Sequence, residues 1–127
     1  MNLNQVTVPS SNVEKSMEFY KTLGLKLIVE ALPGYVRFEC PTGDATFSIH
    51  KIEDIMKGEG VMVYFEQENL DDYVKDMIRK GIVFDEMPED RTWLWREARL
   101  KDPDGNKLII YHAGDNRRNP PWRIHSQ

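Results

Sequence analysis

Hydrophobic and polar residues change their spacing several times along this chain, and the changes recur. Val6 and Val8 alternate with Gln5, Thr7 and Pro9, which predicts a strand with one buried face. From Val13 the apolar positions take helical spacing at Val13, Met17, Tyr20 and Leu23, and Gly24 ends the stripe where a left-handed C-cap is needed. Ser11 and Glu14 have the spacing of a capping box, with Asn12 as the alternative N-cap. Three strands are predicted next, over 26–30, over 35–40 after Pro33-Gly34, and over 45–50 after Thr42-Gly43-Asp44. In the last two, Val36, Phe38, Phe47 and Ile49 are expected to face the helix. The opposite face, Tyr35, Arg37, Glu39, Thr46, Ser48 and His50, is polar.

The same order then returns. Val61, Val63 and Phe65 alternate with Met62, Tyr64 and Glu66, and Asn69 opens a helical stripe of Leu70, Tyr73, Val74, Met77 and Ile78 that closes at Gly81. Gln5 maps on Met62, Val13 on Leu70 and Leu25 on Ile82, a constant offset of 57 residues that predicts a duplicated module. Further strands are expected over 82–84, 93–100 and 107–112, with turns at Pro88-Glu89-Asp90-Arg91 and at Asp102-Pro103-Asp104-Gly105-Asn106. Leu108 and Ile110 are expected to face the second helix, leaving Lys107, Ile109 and Tyr111 on the other side. For 93–100 the alternation allows two readings: either Trp93, Trp95, Glu97 and Arg99 face inward, or Leu94, Arg96, Ala98 and Leu100 do.

Composition narrows the function classes. The 127 residues carry a net charge of −4, with 40% hydrophobic and 30% charged side chains, which suits one soluble globular domain. An acidic balance offers no general attraction to phosphate backbones or anionic lipid, so neither nucleic acid nor membrane is expected as a partner. No basic leader followed by an apolar run and no long apolar stretch is present, and a cytoplasmic location is the expectation. Cys40 is the single cysteine, so no intrachain disulfide can form. Its alternation with Val36 and Phe38 favours core packing over nucleophilic chemistry.

The segments Val13-Glu14-Lys15-Ser16, Phe19-Tyr20 and Leu23-Gly24-Leu25, with Leu70, Gly81 and Asp102 to Asn106, carry a resemblance to a known family. Over about residues 3 to 112 the chain resembles the vicinal oxygen chelate superfamily of glyoxalases, bleomycin-resistance proteins, fosfomycin-resistance enzymes and extradiol dioxygenases. The resemblance implies an α+β fold of two βαβββ modules in tandem, forming a curved mixed sheet around a ligand cavity that a second subunit commonly completes. It places module one at about 1–57, module two at about 58–114 and a C-terminal extension at 115–127, within a single domain. Trp95-Arg96-Glu97 ahead of Leu100-Lys101-Asp102-Pro103 looks most like the bleomycin-resistance branch, which binds its ligand without chemistry.

Metal-dependent members present ligands at four strand positions, which fall here on Gln5, Ser48, Met62 and Ile109. A thioether and a branched alkyl group stand where imidazole and carboxylate are usual, and neither suits a hard divalent ion. No metal and no cofactor is therefore expected. The residues expected to line the ligand site are Arg37, Glu39, Ser48, His50, Met62, Tyr64, Glu66, Trp95, Ile109 and Tyr111, an apolar and aromatic wall with orienting polar groups. Arg37 is alternatively expected to pair with Glu39 or Glu66 and fill the trough. His112 and His125 are not at the spacing of a ligand pair.

Three functions follow from these residues. The first is a metal-free protein that binds a small organic molecule in a homodimer, the acidic balance favouring a cationic or neutral ligand. The second is a metal-dependent enzyme of the superfamily, a lactoylglutathione-lyase-like lyase or isomerase or a dioxygenase, with a rearranged site drawn from Gln5, Glu39, His50 or Glu66. The third is an interaction module whose trough is occluded. Trp122, in the proline-containing extension, is expected to anchor that segment against the domain or a partner subunit.

Overall fold

The computed structural model describes residues 1–55 and 60–124. The proposed module boundary at 57–58 and His125 lie outside the described residues. The chain forms two compact units, one made of Met1–Val61 with Lys101–Asn106, the other of Met62–Leu100 with Lys107–Gln127.

In the first unit, β1 (Gln5–Ser10), α1 (Val13–Leu23), β2 (Lys26–Ala31), β3 (Tyr35–Glu39) and β4 (Thr46–Lys51) build a four-stranded sheet ordered β1-β4-β3-β2. β1 runs parallel to β4, and the other two pairs are antiparallel. Asn12, rather than Ser11, caps α1, its side chain accepting from the Lys15 backbone at 3.1 Å. Gly24 closes the helix with φ of 111°, a conformation costly for any residue with a Cβ. Its amide donates to the Lys21 carbonyl and that of Leu25 to the Tyr20 carbonyl, a Schellman pair. Val36, Phe38, Phe47 and Ile49 are buried on the helix side as the alternation required, and the Tyr20 ring packs 4.6 Å from Phe47. Each such side chain contributes roughly 1.5–3 kcal/mol by leaving water.

In the second unit, β5 (Met62–Glu66), α2 (Leu70–Arg79), β6 (Glu86–Asp90), β7 (Arg96–Lys101) and β8 (Lys107–His112) repeat the plan, with order β5-β8-β7-β6 and β5 parallel to β8. A 3-10 turn, Gly114–Arg117, follows. The two modules thus carry two separate mixed sheets with equivalent registers. Gln5 pairs with Thr46 as Met62 pairs with Lys107, and Pro9 with His50 as Glu66 with Tyr111. No helix among the described residues is long and apolar enough to cross a membrane.

Several expectations change here. The offset is 57 at β1 and α1 but 61 at the last strand, where Thr46 corresponds to Lys107. The extra residues follow α2. Ile82 is the counterpart of Leu25, not the start of a strand: its amide donates to the Met77 carbonyl while Gly81 donates to Ile78, so Ile82 is consumed in closing the helix. Val83 lies exposed beyond it, and the strand begins only at Glu86, across the segment expected to turn at Pro88 to Arg91. The turn is instead at 91–95, closed by the Arg91 amide donating to the Trp95 carbonyl at 2.8 Å, with Leu94 at φ 67°. β7 consequently starts at Arg96 rather than Trp93, with Ala98 and Leu100 buried. Asn69 opens α2 without a side-chain capping bond. Cys40 is half-buried just past β3, and that burial raises its thiol pKa.

The 101–106 turn, expected as part of the second module, packs with the first unit. Asp102 accepts from the Tyr20 hydroxyl at 2.6 Å, and Asp104 accepts from Ser16 Oγ at 2.7 Å and from Ser11 through both its amide and its hydroxyl at 2.8 Å. Gly105 supplies the positive φ, 85°, that lets the turn close between them.

Candidate functional site

The expected strand residues alternate with the helix-facing core positions of their sheets; Ser48, Ile109 and Tyr111 among them are buried, and Trp95 lies in the segment before β7. On the first sheet, the antiparallel pairing of β3 with β4 sets Tyr35 beside His50, Arg37 beside Ser48 and Glu39 beside Thr46. Ser48 is fully buried, and its Oγ lies 2.7 Å from the Tyr35 hydroxyl. Arg37 Nε donates to the same hydroxyl at 2.8 Å. Burial by itself would raise the Tyr35 pKa; the Ser48 and Arg37 hydrogen bonds and the Arg37 charge outweigh it and lower the phenol below the usual tyrosine value. Arg37 does not pair with Glu39, whose ion-pair partner is Lys26 at 3.5 Å. His50 is exposed, with its ring edge-on 6.4 Å from that of Tyr35. Tyr35 was not among the expected site residues. Its place in the polar alternation of β3 was the available signal, since the cross-strand register that gives it Ser48 follows only from the pairing.

On the second sheet, parallel pairing sets Met62 beside Lys107, Tyr64 beside Ile109 and Glu66 beside Tyr111. Trp95 lies at the end of the 91–95 turn and stacks on Tyr111, with ring centroids 4.6 Å apart and planes 16° from parallel. Tyr64 stands edge-on to both, 6.0 Å from Trp95 and 5.7 Å from Tyr111, and stays 44% exposed. The Trp95 indole donates to the Asn116 carbonyl at 3.3 Å. Glu66 is held by the amides of Ala113 and Gly114 at 2.8 and 2.9 Å, with His112 at 3.8 Å and Arg117 at 3.9 Å. Glu66 is therefore occupied as a fastener of the chain after β8. Burial, then the Glu66 charge, raises the Tyr111 phenol, with Arg117 opposing.

Beside this cluster Glu97 is 1% exposed and takes a 2.7 Å bond from the Trp93 indole and a 3.1 Å bond from Arg99, with Arg91 3.7 Å away. The two tryptophans, two residues apart, thus do different jobs: Trp93 donates to a buried carboxylate and Trp95 builds an aromatic stack.

The residues present do not fit a resident metal ion. Gln5 Oε1 accepts from Thr46 Oγ1 at 2.8 Å, Ser48 is committed to Tyr35, Met62 offers a thioether and Ile109 offers no donor at all. Among the described residues no group of three or more His, Cys, Asp or Glu side chains is placed to hold an ion. A surface depression of about 460 Å³ opens instead at the start of α2, lined by residues including Asn69, Asp72, Arg96 and His112. It contains none of the expected site residues. Arg96 is spent there on ion pairs with Asp71 and Asp90 at 2.9 and 3.0 Å.

The C-terminal extension differs from expectation. Trp122 is 57% exposed, so it does not anchor the segment on the domain. The turn after Pro120 folds back on itself through Arg123, whose amide donates to the Pro120 carbonyl and whose side chain donates to Asn119, and the indole stays uncovered.

Residues 2–110 match the sequence model of the Glyoxalase/Bleomycin resistance protein/Dioxygenase superfamily. Among solved structures, the chain is similar to a glyoxalase/bleomycin resistance protein/dioxygenase from Nocardioides, with a TM-score of 0.78 and 21% identity over 98% of this chain and 90% of that one. A family enzyme from Burkholderia phytofirmans PsJN has a TM-score of 0.75 at 19% identity, covering 89% and 99%. A lactoylglutathione lyase from Agrobacterium tumefaciens has 0.73 at 14% identity, covering 87% and 92%. At these identities the likeness is one of fold. No curated protein matches the chain.

Proposed function

Because the chain belongs to the Glyoxalase/Bleomycin resistance protein/Dioxygenase superfamily, we propose that it binds a small planar organic molecule on the open face of its second sheet, without a metal ion, as a homodimer. The observation that carries this reading is the aromatic corner in which Trp95 lies flat on Tyr111 while Tyr64 stands edge-on and half exposed. A rigid corner of that kind offers a ligand a stacking surface at little entropic cost. Met62, partly exposed, supplies a neighbouring apolar surface and Ile109 backs the cluster from its buried position; their lack of hard donors supports binding without a metal. The ligand is neutral or cationic, in keeping with the acidic balance of the chain. The uncovered Trp122 supports the dimer, because a partner subunit would remove its apolar area from water.

Fluorescence tests the reading directly. In a variant with Trp93→Phe and Trp122→Phe, Trp95 is the remaining tryptophan, and a set of planar aromatic probes should quench it saturably. Absence of saturable quenching across the set overturns the proposal. Elemental analysis of protein purified without chelators should find no stoichiometric transition metal; one tightly held ion per subunit refutes the metal-free reading. Light scattering should give twice the chain mass, and a monomer at all concentrations removes the dimer.

A further inference from the structure

We propose that Tyr35, set by Ser48 and Arg37, is the hydrogen-bond donor of a carboxylate-binding site on the open face of the first sheet. The inference goes beyond the stacking corner of the second sheet and rests on the first unit alone.

Proton accounting carries it. Ser48 is fully buried, and the Tyr35 hydroxyl is the one hydrogen-bond partner of its Oγ among the described residues. The 2.7 Å contact allows either atom to donate, and a buried hydroxyl with one neighbour is satisfied when its own proton goes to that neighbour, which assigns Ser48 as the donor to Tyr35. Arg37 Nε, which can only donate, occupies a second acceptor position on the same phenol oxygen. With both acceptor positions taken, the proton of Tyr35 itself is left over, on a side chain that is only half-buried. It points to an acceptor that the first sheet does not contain.

Charge selects the kind of acceptor. Among the described residues no carboxylate lies within ion-pairing distance of Arg37: Glu39 is engaged by Lys26, and β4 opposite contributes Ser48 and His50. The guanidinium carbon also sits 5.4 Å from the centre of the Tyr35 ring, which keeps the positive charge beside the phenol. A leftover phenolic proton next to an uncompensated guanidinium suits an anionic oxygen. A carboxylate accepts from both groups through its two oxygens. The lowered phenol pKa agrees with this arrangement, since the same two donors strengthen Tyr35 as a proton donor. The register explains why the group is built here: Arg37 pairs with Ser48, and Tyr35 lies two residues away on the same face.

Benzoate and its neutral counterpart benzamide serve as probes. In the wild type, NMR should show the Arg37 Nε–H resonance moving saturably with benzoate and not with benzamide. Tyr35→Phe keeps the ring and removes only the hydroxyl, and benzoate affinity should fall about tenfold; Arg37→Met should lower it at least as much. Wild-type benzoate affinity in a Tyr35→Phe protein with an intact amide spectrum overturns the proposal, as does an equal response to benzamide. Quenching of Trp95 by a neutral aromatic probe in the same variant reads the second sheet separately, so failure there is distinguishable from failure here.

Discussion

The Tyr20 hydroxyl donates a 2.6 Å hydrogen bond to Asp102, a residue 82 positions further along the chain. Tyr20 is fully buried on α1, and Asp102 also receives the amides of Asp104 and Asn106 at 2.9 Å and the Asn106 side chain at 2.8 Å. One nearly buried carboxylate therefore organises the whole 101–106 turn and fastens it to the helix. Tyr20→Phe leaves that carboxylate short of a donor without opening a large cavity, so a loss of about 1–3 kcal/mol is expected. Urea unfolding should show a lower midpoint with an unchanged slope.

Asp104 makes the neighbouring turn sensitive to acid. Burial would raise its carboxyl, but hydrogen bonds from Ser10, Ser11 and Ser16 outweigh that and lower it. A depressed carboxyl adds stability above its unfolded value, and that stability is lost as pH falls through the folded value. The urea midpoint should therefore drop between pH of about 4 and pH of about 2, and Asp104→Asn should drop less steeply over that window. Parallel curves for the two proteins would contradict the assignment.

Alkali acts through the tyrosines in the opposite sense. Burial, assisted by Asp102 and Asp104, raises Tyr20; burial with Asp76 brings Tyr73 to about 12; Tyr111 is raised as well. A raised phenol contributes stability that is complete below the unfolded value near 10 and disappears as pH climbs toward the folded value. Stability should fall from pH of about 10 upward, and Tyr20→Phe should flatten the decline. Tyr35 moves the other way, and absorbance titration should find it ionising ahead of Tyr73, with that early step absent in Tyr35→Phe.

Glu97 ties together the turn that presents Trp95. It is buried against Arg99, Arg91 and the Trp93 indole, so removing its charge leaves the two guanidinium groups to the more exposed Glu86, 3.5 Å from Arg91 and 3.3 Å from Arg99. Glu97→Gln should cost about 1–3 kcal/mol. Thermal unfolding should show the loss, and Trp93→Phe, which deletes one donor, should show a smaller one.

The fold was legible where one short segment carried its own signal. Asn12 and Gly24 mark the ends of α1 because capping is local chemistry, and the alternation at Val36, Phe38, Phe47 and Ile49 set the buried face of the first sheet because a strand shows opposite faces to water and core. Ile82 to Phe84 misled for the same reason. Three apolar residues look like a strand start, yet Ile82 is taken by the helix cap, and the strand forms later from Glu86 to Asp90, a segment with almost no apolar signature. Edge strands of that kind are stabilised by pairing with a neighbour, which periodicity does not report.

What the sequence by itself determined is therefore the repeat, the helices, the buried faces and the residue types on the open faces, since each follows from spacing within one element. Only the tertiary structure decided which of those side chains meet. Register placed Ser48 opposite Arg37 and diagonal to Tyr35, the 91–95 turn laid Trp95 on Tyr111, and packing brought Asp102 to Tyr20. Those contacts depend on hydrogen-bonded pairing and burial between distant segments, and no local pattern of hydrophobic and polar residues encodes them.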